Sequence, residues 1–388
     1  MSDPPVSALE PAQPLEEGTA LCLSGGGYRA MLFHAGAIWR MNEFGLLSGF
    51  SRISSVSGGS ITAAVLGVNW GQLSFGDHGV AAGLREALLD PLRGLARFTV
   101  DLSSIVKGIA LPGSIAEKVV AAYEEHLSMR GKTLQDLPDS PRFIFNATNL
   151  QSRALWRFSK PYMGDYLIGR VMNPKVPLAQ AVAASSAYPP VLSPLVLRVD
   201  PDSFSPPEPG NKLHFPPYTS NVVLSDGGVY DNLGLEPAWK RCRTILVSDA
   251  GAACPPQPAP RHDWISQTLR VLDIIDNQVR SLRVRQLVES YRSGIRKGTY
   301  WSIGGDIRDC GVTDALICPL EKTHALAEIE TRLEKMDDSL QESLIDWGYA
   351  MADAAIRARV PGISGPSPSC PYGTFQAPVP SASPAHTP

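Results

Sequence analysis

Two glycine turns lie close together near the start of the chain, each with a short apolar run before it and a helical pattern after it. The first, Ser24-Gly25-Gly26-Gly27-Tyr28-Arg29, follows residues 20–23; the second, Val56-Ser57-Gly58-Gly59-Ser60, follows residues 52–55. Strand, tight turn and helix, repeated, leave few folds open. Such units build a parallel sheet with both helix N-termini at the same edge. At that edge an anion or a developing oxyanion can be held.

The second turn fits a nucleophile elbow. Ser57 stands between a β-type run and a helix, and Gly58 and Gly59 let the chain bend and other backbones approach. Ser55 occupies the place of the first glycine in G-x-S-x-G and is small enough to keep the steric logic. An isolated S-G-G is more simply a helix N-cap. The partner turn shifts the balance, because Gly25, Gly26 and Gly27 can aim N–H groups beside the serine and Arg29 adds a positive charge. A serine hydroxyl also needs a base within hydrogen-bond reach. Asp226 ends the apolar run 222–225, and Gly227 and Gly228 expose its carboxylate. In a dry pocket an aspartate has a raised pKa and can take the serine proton. Taken alone, Asp-Gly-Gly also describes an ordinary β-turn.

With these residues in view, the chain resembles the patatin-like phospholipases, a family of lipid acyl hydrolases. Gly25-Gly26-Gly27-Tyr28-Arg29 matches the family's G-G-G-x-R/K motif, Val56-Ser57-Gly58-Gly59 most of its G-x-S-x-G, and Asp226-Gly227-Gly228 its D-G-G/A. Residues 183–190, AASSAYPP, look like its A-S-x-A-x-P stretch. Four motifs in order, over residues 19–250, carry the resemblance. It implies an α/β three-layer fold with a central, mostly parallel sheet flanked by helices. It also implies a Ser57–Asp226 dyad working through an acyl-enzyme, with Gly25, Gly26, Gly27 and Arg29 at the oxyanion hole. Gly58, Gly59, Gly227 and Gly228 support the two turns. Phospholipid or another acyl lipid is the implied substrate, with no cofactor and no metal.

Other polar residues compete for roles. Ser57, Asp226 and His262 reproduce the chain order of α/β-hydrolase triads, but the short stretch before Ser57 cannot supply the strands which that fold places ahead of its nucleophile. The dyad is therefore preferred. Asp249 reads as a turn or cap residue and His34 as a packed histidine. Arg29 in a phosphate loop is disfavoured, since G-G-G-Y-R is neither G-x-G-x-x-G nor a loop ending in G-K-[ST]. Besides the lipid hydrolase, a soluble-ester hydrolase or thioesterase with the same dyad stays open, as does a non-catalytic lipid-binding regulatory module.

The net charge of −3 over 388 residues argues against a nucleic-acid binder. No apolar run is long enough to span a membrane, so contact with lipid is expected to be peripheral. The start lacks a basic-then-apolar signal pattern, which points to the cytoplasm. The six scattered cysteines form no metal-binding spacing and are expected to be reduced thiols. Residues 1–18 read as a disordered arm, 19–359 as one hydrolase domain with a C-terminal helical layer, and 360–388 as a disordered Pro/Ser-rich tail.

Strands are expected at 20–23, 52–55, 143–147, 154–159, 222–225, 244–247 and 300–303. Helices are expected at 30–44, 60–66, 80–92, 114–127 and 178–187 and from 230 to 239. Residues 201–217 read as an irregular excursion. Two later patterns, Leu269-Leu272-Ile275-Val279-Leu282 and a run from Leu326 to Met351 interrupted at Gly348, suggest helices that cover the sheet. The apolar stretch 98–111 is a buried connector or a lipid-facing loop. Arg270, Arg280, Arg283 and Arg285 are a solvated face or a contact for anionic lipid.

Overall fold

The computed structural model of the chain describes residues 14–100 and 114–376. The apolar run before the first turn becomes β1 (Glu16–Leu23), and the turn opens directly into α1 (Gly27–Glu43). The serine strand is β2 (Phe50–Ser55), followed by α2 (Gly58–Val68). A small separate hairpin, β3 (Ser74–Phe75) with β4 (Ala81–Ala82), leads through a π-helical turn at Arg85–Leu89 into α3 (Asp90–Ala96) and on to α4 (Ser114–His126). Then come β5 (Arg142–Asn149), β6 (Ala154–Phe158), β7 (Tyr162–Asp165), β8 (Gly169–Met172) and α5 (Leu178–Ser185). After them lie β9 (Leu195–Arg198), β10 (Asn221–Asp226), the short α6 (Gly228–Asp231) and α7 (Glu236–Trp239), and β11 (Cys242–Asp249). The long α8 (Trp264–Arg292), β12 (Lys297–Ser302), α9 (Leu320–Ala327) and α10 (Asp338–Arg359) complete the chain order.

The sheet is mixed and mostly parallel across its centre. Strands β12, β11, β1, β2 and β5 run parallel in that order. Beyond β5 it becomes antiparallel through β6, β7 and β8, while β10 pairs with β5 and β9. Alternation along β1 sorts the two faces. Leu21 and Leu23 join the large core under α1, α2 and α10, whereas Ala20 and Cys22 face a smaller cluster with Leu233, Leu235, Trp239 and Leu287. This is the expected α/β architecture, a central, mostly parallel sheet flanked by helices.

Glycine sets how closely the main helical pair approaches. A Cβ on Gly36 of α1 would strike the Ile345 carbonyl, and one on Gly348 of α10 would strike that of Phe33. Gly348 therefore marks a helix crossing, not the expected interruption. The same pair shares a buried ion cluster. Arg40 bonds Asp353 at 2.7 Å and Glu43 at 2.5 Å, and donates to the Pro366 carbonyl at 2.9 Å.

Several boundaries differ from the sequence expectations. The pattern from Leu326 to Met351 is two helices. Asp337 caps α10 by accepting from Leu340 N–H at 2.8 Å, and Leu333 and Met336 are buried from the intervening non-helical segment. The helix expected at 230–239 breaks into α6 and α7 at a turn whose Gly234 has φ +64°. Strands β7, β8 and β9, of four residues each, are additional to the expected set. Residues 361–376 of the expected disordered tail include positions packed on the fold. Asp346 accepts from the N–H groups of Tyr372 and Thr374 at 3.0 and 2.7 Å, and Cys370 and Phe375 are buried. At the other end, the expected arm already enters β1 at Glu16.

The largest departure is α8. Only Leu287 and Ser290 of this helix are buried, near its C-terminal end, where Val284 and Tyr291 also pack against the smaller cluster. Leu269, Leu272, Ile275, Val279 and Leu282, expected to cover the sheet, are 40–59% exposed. Residues 101–111 of the apolar stretch lie outside the described residues. No described helix is long and apolar enough to cross a membrane, and all six cysteines are free.

Candidate active site

Strand β5 acts as a ruler for the site. Its first half pairs in parallel with β2, whose last residue, Ser55, lies opposite Phe145. Its second half pairs antiparallel with β10, whose last residue, Asp226, lies opposite Ala147. Two strands from distant parts of the chain thus end head to head, two register positions apart on β5. Ser57 emerges from one end and Asp226 from the other.

Ser57 has φ +52° and ψ −121°, a backbone state that costs a non-glycine residue about 1–3 kcal/mol and must be held by its surroundings. Its N–H donates to both the carbonyl and the hydroxyl of Ser185, at 3.2 Å each. The turn also presses on the first glycine loop. A Cβ on Gly58 would strike the Gly27 carbonyl, and one on Gly59 would lie 2.6 Å from the Leu23 and Ser24 carbonyls. Below the turn, the hydroxyls of Ser55, Ser60 and Ser185 are linked at 3.0 and 2.8 Å, and Ser185 donates onward to the Asn146 carbonyl at 2.6 Å.

Asp226 is buried. Its Oδ1 accepts from Gly228 N–H at 2.7 Å, while Oδ2 has no partner of full hydrogen-bond geometry. Burial pushes the carboxyl up to about 7. The Gly228 N–H and the Ser57 hydroxyl pull against that rise, and the charge of Asp276 adds to it. Gly227 sits so close to the Asn146 carbonyl that a Cβ would collide with it. The result is a carboxylate poised to gain or lose a proton near neutrality beside a strained serine.

The three glycines of the first loop divide their work. Gly25 gives its N–H to the Asn232 carbonyl at 3.0 Å, so it positions the loop and offers no donor. A Cβ there would crowd the Asn232 side chain and lie 3.1 Å from Ser57 Cβ, which shows how near the two turns are. The N–H groups of Gly26, Gly27 and Gly58 make no hydrogen bond within the described fold. Gly58 follows the serine directly, and Gly27 and Gly58 are the first residues of α1 and α2, so helix-terminal donors converge here. Gly26 has φ +144°, and a Cβ on it would lie 2.6 Å from the Ala250 carbonyl.

Arg29, expected at the oxyanion hole, is enclosed by the fold. Its guanidinium is buried and donates to the carbonyls of Ala250 (2.9 Å) and Ile329 and to the Thr331 hydroxyl (3.1 Å). Burial, with a smaller push from Arg280, lowers its pKa to about 10, so it stays charged at neutral pH. Through these bonds it braces the glycine loop. The Arg332 carbonyl adds a second brace by accepting from Tyr28 N–H at 3.0 Å.

Neither histidine weighed from the sequence meets the serine. His34 lies between the Ser248 hydroxyl and the Ser24 carbonyl at 2.8 and 2.9 Å, and burial lowers its pKa to about 4, leaving it a neutral packing residue. His262 is exposed at the approach to α8. Asp249 is more than a turn residue. It accepts from Tyr300 O–H at 2.7 Å and Gly251 N–H at 2.9 Å and pairs with Arg280 at 3.3 Å, fixing the loop whose Ala250 carbonyl holds Arg29. Asn232, and Ser185 within the AASSAYPP stretch, have structural roles that the sequence does not show. Both bridge turns through main-chain groups, which composition does not reveal.

A family model described as patatin-like phospholipase matches residues 21–239. No curated protein matches. Among solved structures, human GIVD cytosolic phospholipase A2 in complex with methyl γ-linolenyl fluorophosphonate is similar, with TM-score 0.50 and 13% identity over 87% of this chain and 57% of that one. The same human enzyme in another structure gives 0.47 and 12%, over 91% and 64%. VipD from Legionella pneumophila gives 0.38 and 16%, over 89% and 67%. The chain thus spans less than two thirds of the human enzyme's chain, and the likeness at TM-score 0.50 concerns the fold.

Proposed function

Because the chain belongs to the patatin-like phospholipase family, we propose that it is a lipid acyl hydrolase that cleaves carboxylic esters with a Ser57–Asp226 dyad. The observation that carries this reading is the head-to-head meeting of β2 and β10 on β5, which brings a strained serine to a buried carboxylate with a pKa of about 7.

In the first step the Ser57 oxygen attacks the ester carbonyl carbon while its proton passes to Asp226 Oδ2. The carbonyl oxygen becomes an oxyanion facing the N–H groups of Gly26, Gly27 and Gly58, and each such donor contributes about 3 kcal/mol to the transition state. Collapse expels the alcohol half of the ester, which takes the proton from Asp226. The acyl group stays on Ser57. In the second step Asp226 accepts a proton from water, the hydroxyl attacks the acyl-enzyme, and the fatty acid leaves as Ser57 recovers its proton. One carboxylate serves both steps, and no histidine is needed.

Phospholipid or another acyl lipid is the substrate class, met at an aggregate surface by peripheral contact. The testing experiment is a panel of phospholipids, acylglycerols and short soluble esters, run with wild type and Ser57→Ala. Hydrolysis of lipids that vanishes in the variant is the expected result. Turnover of soluble esters alone would favour the esterase or thioesterase reading, and no turnover with no fluorophosphonate labelling of Ser57 would favour a lipid-binding module.

A further inference from the structure

Helix α8 is anchored at one end and bare at the other. Trp264, Val271, Leu272, Ile275, Val279 and Leu282 are 40–77% exposed. Their spacing puts them on one side of the helix, and no charged residue interrupts that stripe between Trp264 and Leu282.

Of the four arginines weighed for anionic lipid, Arg285 is exposed and donates to the Ser281 carbonyl of its own helix at 3.3 Å, while the other three turn to the fold. Arg270 donates to the Pro255 carbonyl at 2.7 Å, Arg280 pairs with Asp249, and Arg283 reaches Asp231 at 3.7 Å and Glu236 at 3.4 Å. Arg270, Arg280 and Arg283 fasten the helix to the loops at 249–255 and 231–236 and leave its apolar side outward. An exposed apolar patch of this kind marks an interaction surface.

The position of the helix says what that surface meets. Arg283 donates to the Tyr230 carbonyl at 3.3 Å, in the short helix just after Asp226, and Arg280 donates to the Ala252 carbonyl at 2.8 Å, in the loop that holds Arg29. The helix therefore runs beside the mouth of the site. Two further exposed apolar side chains, Tyr188 and Val229, flank Asp226 there. A second copy of the chain seated on α8 would lie across the entrance, whereas a lipid surface at the same place supplies the substrate.

We propose that the outward stripe of α8 is the face by which the protein seats on a lipid aggregate, through apolar insertion and not through attraction to anionic head groups. This inference rests on the lipid hydrolase reading and adds to it the element that makes the contact. Each half-buried aliphatic side chain contributes favourable transfer into the interface, and uncharged phosphatidylcholine suffices.

The test uses the full chain and phosphatidylcholine vesicles in co-sedimentation, with fold checked by circular dichroism. Val271→Asp with Ile275→Asp should weaken binding at least about tenfold. Val271→Asn with Ile275→Asn, a gentler pair, should weaken it in the same direction. Added salt should leave wild-type binding unchanged. Wild-type binding by folded double variants would overturn the proposal. So would light scattering that shows a wild-type dimer which the variants split. Fluorophosphonate labelling and lipid turnover of the wild type separate the two readings. Active enzyme whose variants bind normally sinks the surface alone, and α8-dependent binding by an inert wild type sinks the hydrolase reading alone.

Discussion

The N–H of Ser57 and the N–H of Gly227 donate to the same acceptor, the Ser185 carbonyl, at 3.2 Å each. The turn carrying Ser57 and the turn following Asp226 are therefore hung on one peptide group at the C-terminal end of α5. Their relative position depends on a third segment that touches neither reacting atom.

The Ser185 hydroxyl extends this link to Ser60 and Asn146, so Ser185→Ala leaves buried polar groups unpartnered while keeping the shared carbonyl. The expected cost is about 1–3 kcal/mol of stability, read by denaturant unfolding. With the main-chain bridge intact, kcat should fall modestly and KM should stay put. A variant as stable as wild type would show that the hydroxyl network carries no weight.

Asp226 links activity and stability to pH in opposite directions. Its folded carboxyl keeps a proton up to about pH 7, whereas the unfolded group releases it near 3.8. Between those values the folded state binds more protons, so this group's contribution to stability declines as pH rises. Asp226→Asn should therefore be more stable than wild type above pH 7, on the order of a few kcal/mol, and should lose that advantage in acid. Activity runs the other way, because the base works only when deprotonated. For wild type, kcat/KM should climb through pH near 7 to a plateau, and a flat profile would remove Asp226 from the proton transfer.

Gly26→Ala tests the oxyanion donors. The new methyl would meet the Ala250 carbonyl at 2.6 Å in a backbone state that alanine rarely adopts, so the loop must shift. A displaced N–H at the developing oxyanion should lower kcat about a hundredfold with little change in KM. Circular dichroism and fluorophosphonate labelling distinguish a moved loop from an unfolded chain. Unchanged kcat would exclude the first loop from the chemistry.

Much of the candidate site could be read from the chain because its residues lie at strand ends. Ser57 and Asp226 each close an apolar run before glycine, and turns with that demand leave a mark in sequence. The surroundings of Arg29 were not legible, because a motif names a residue without saying which way its side chain points. The partners that claim it, Ala250, Ile329 and Thr331, are main-chain or ordinary groups hundreds of positions away. α8 misled for a related reason. Its period of apolar residues is that of any amphipathic helix, and periodicity identifies an apolar side without telling whether the sheet or something outside the molecule covers it. Among residues 361–376 Pro and Ser dominate the count, while a few anchors, Cys370 and Phe375, decide the packing.

His262→Ala separates dyad from triad. The residue is exposed at the approach to α8, and the groups acting directly on Asp226 are the Gly228 N–H and the Ser57 hydroxyl. The variant should keep the wild-type kcat/KM on a soluble ester. A large loss of rate in a folded protein would bring histidine back into the mechanism.

Arg29 offers the sharpest contrast between a charge that acts on the reaction and one that holds a loop. If it faced the oxyanion, Arg29→Lys would keep much of the activity through the retained charge. The geometry says otherwise, because a planar fork serving the Ala250 carbonyl, the Ile329 carbonyl and the Thr331 hydroxyl cannot be matched by an ammonium on a thinner stem. Lysine should therefore leave buried acceptors unpaired and destabilise the fold by about 2 kcal/mol or more. Arg29→Met should do at least as much harm to stability. Activity should fall with the loop's order in both, most steeply as temperature rises, since Gly26 and Gly27 lose the brace between α1 and the segment after α9. Equal stability of wild type and Arg29→Lys, with only kcat reduced, would return the guanidinium to the oxyanion hole.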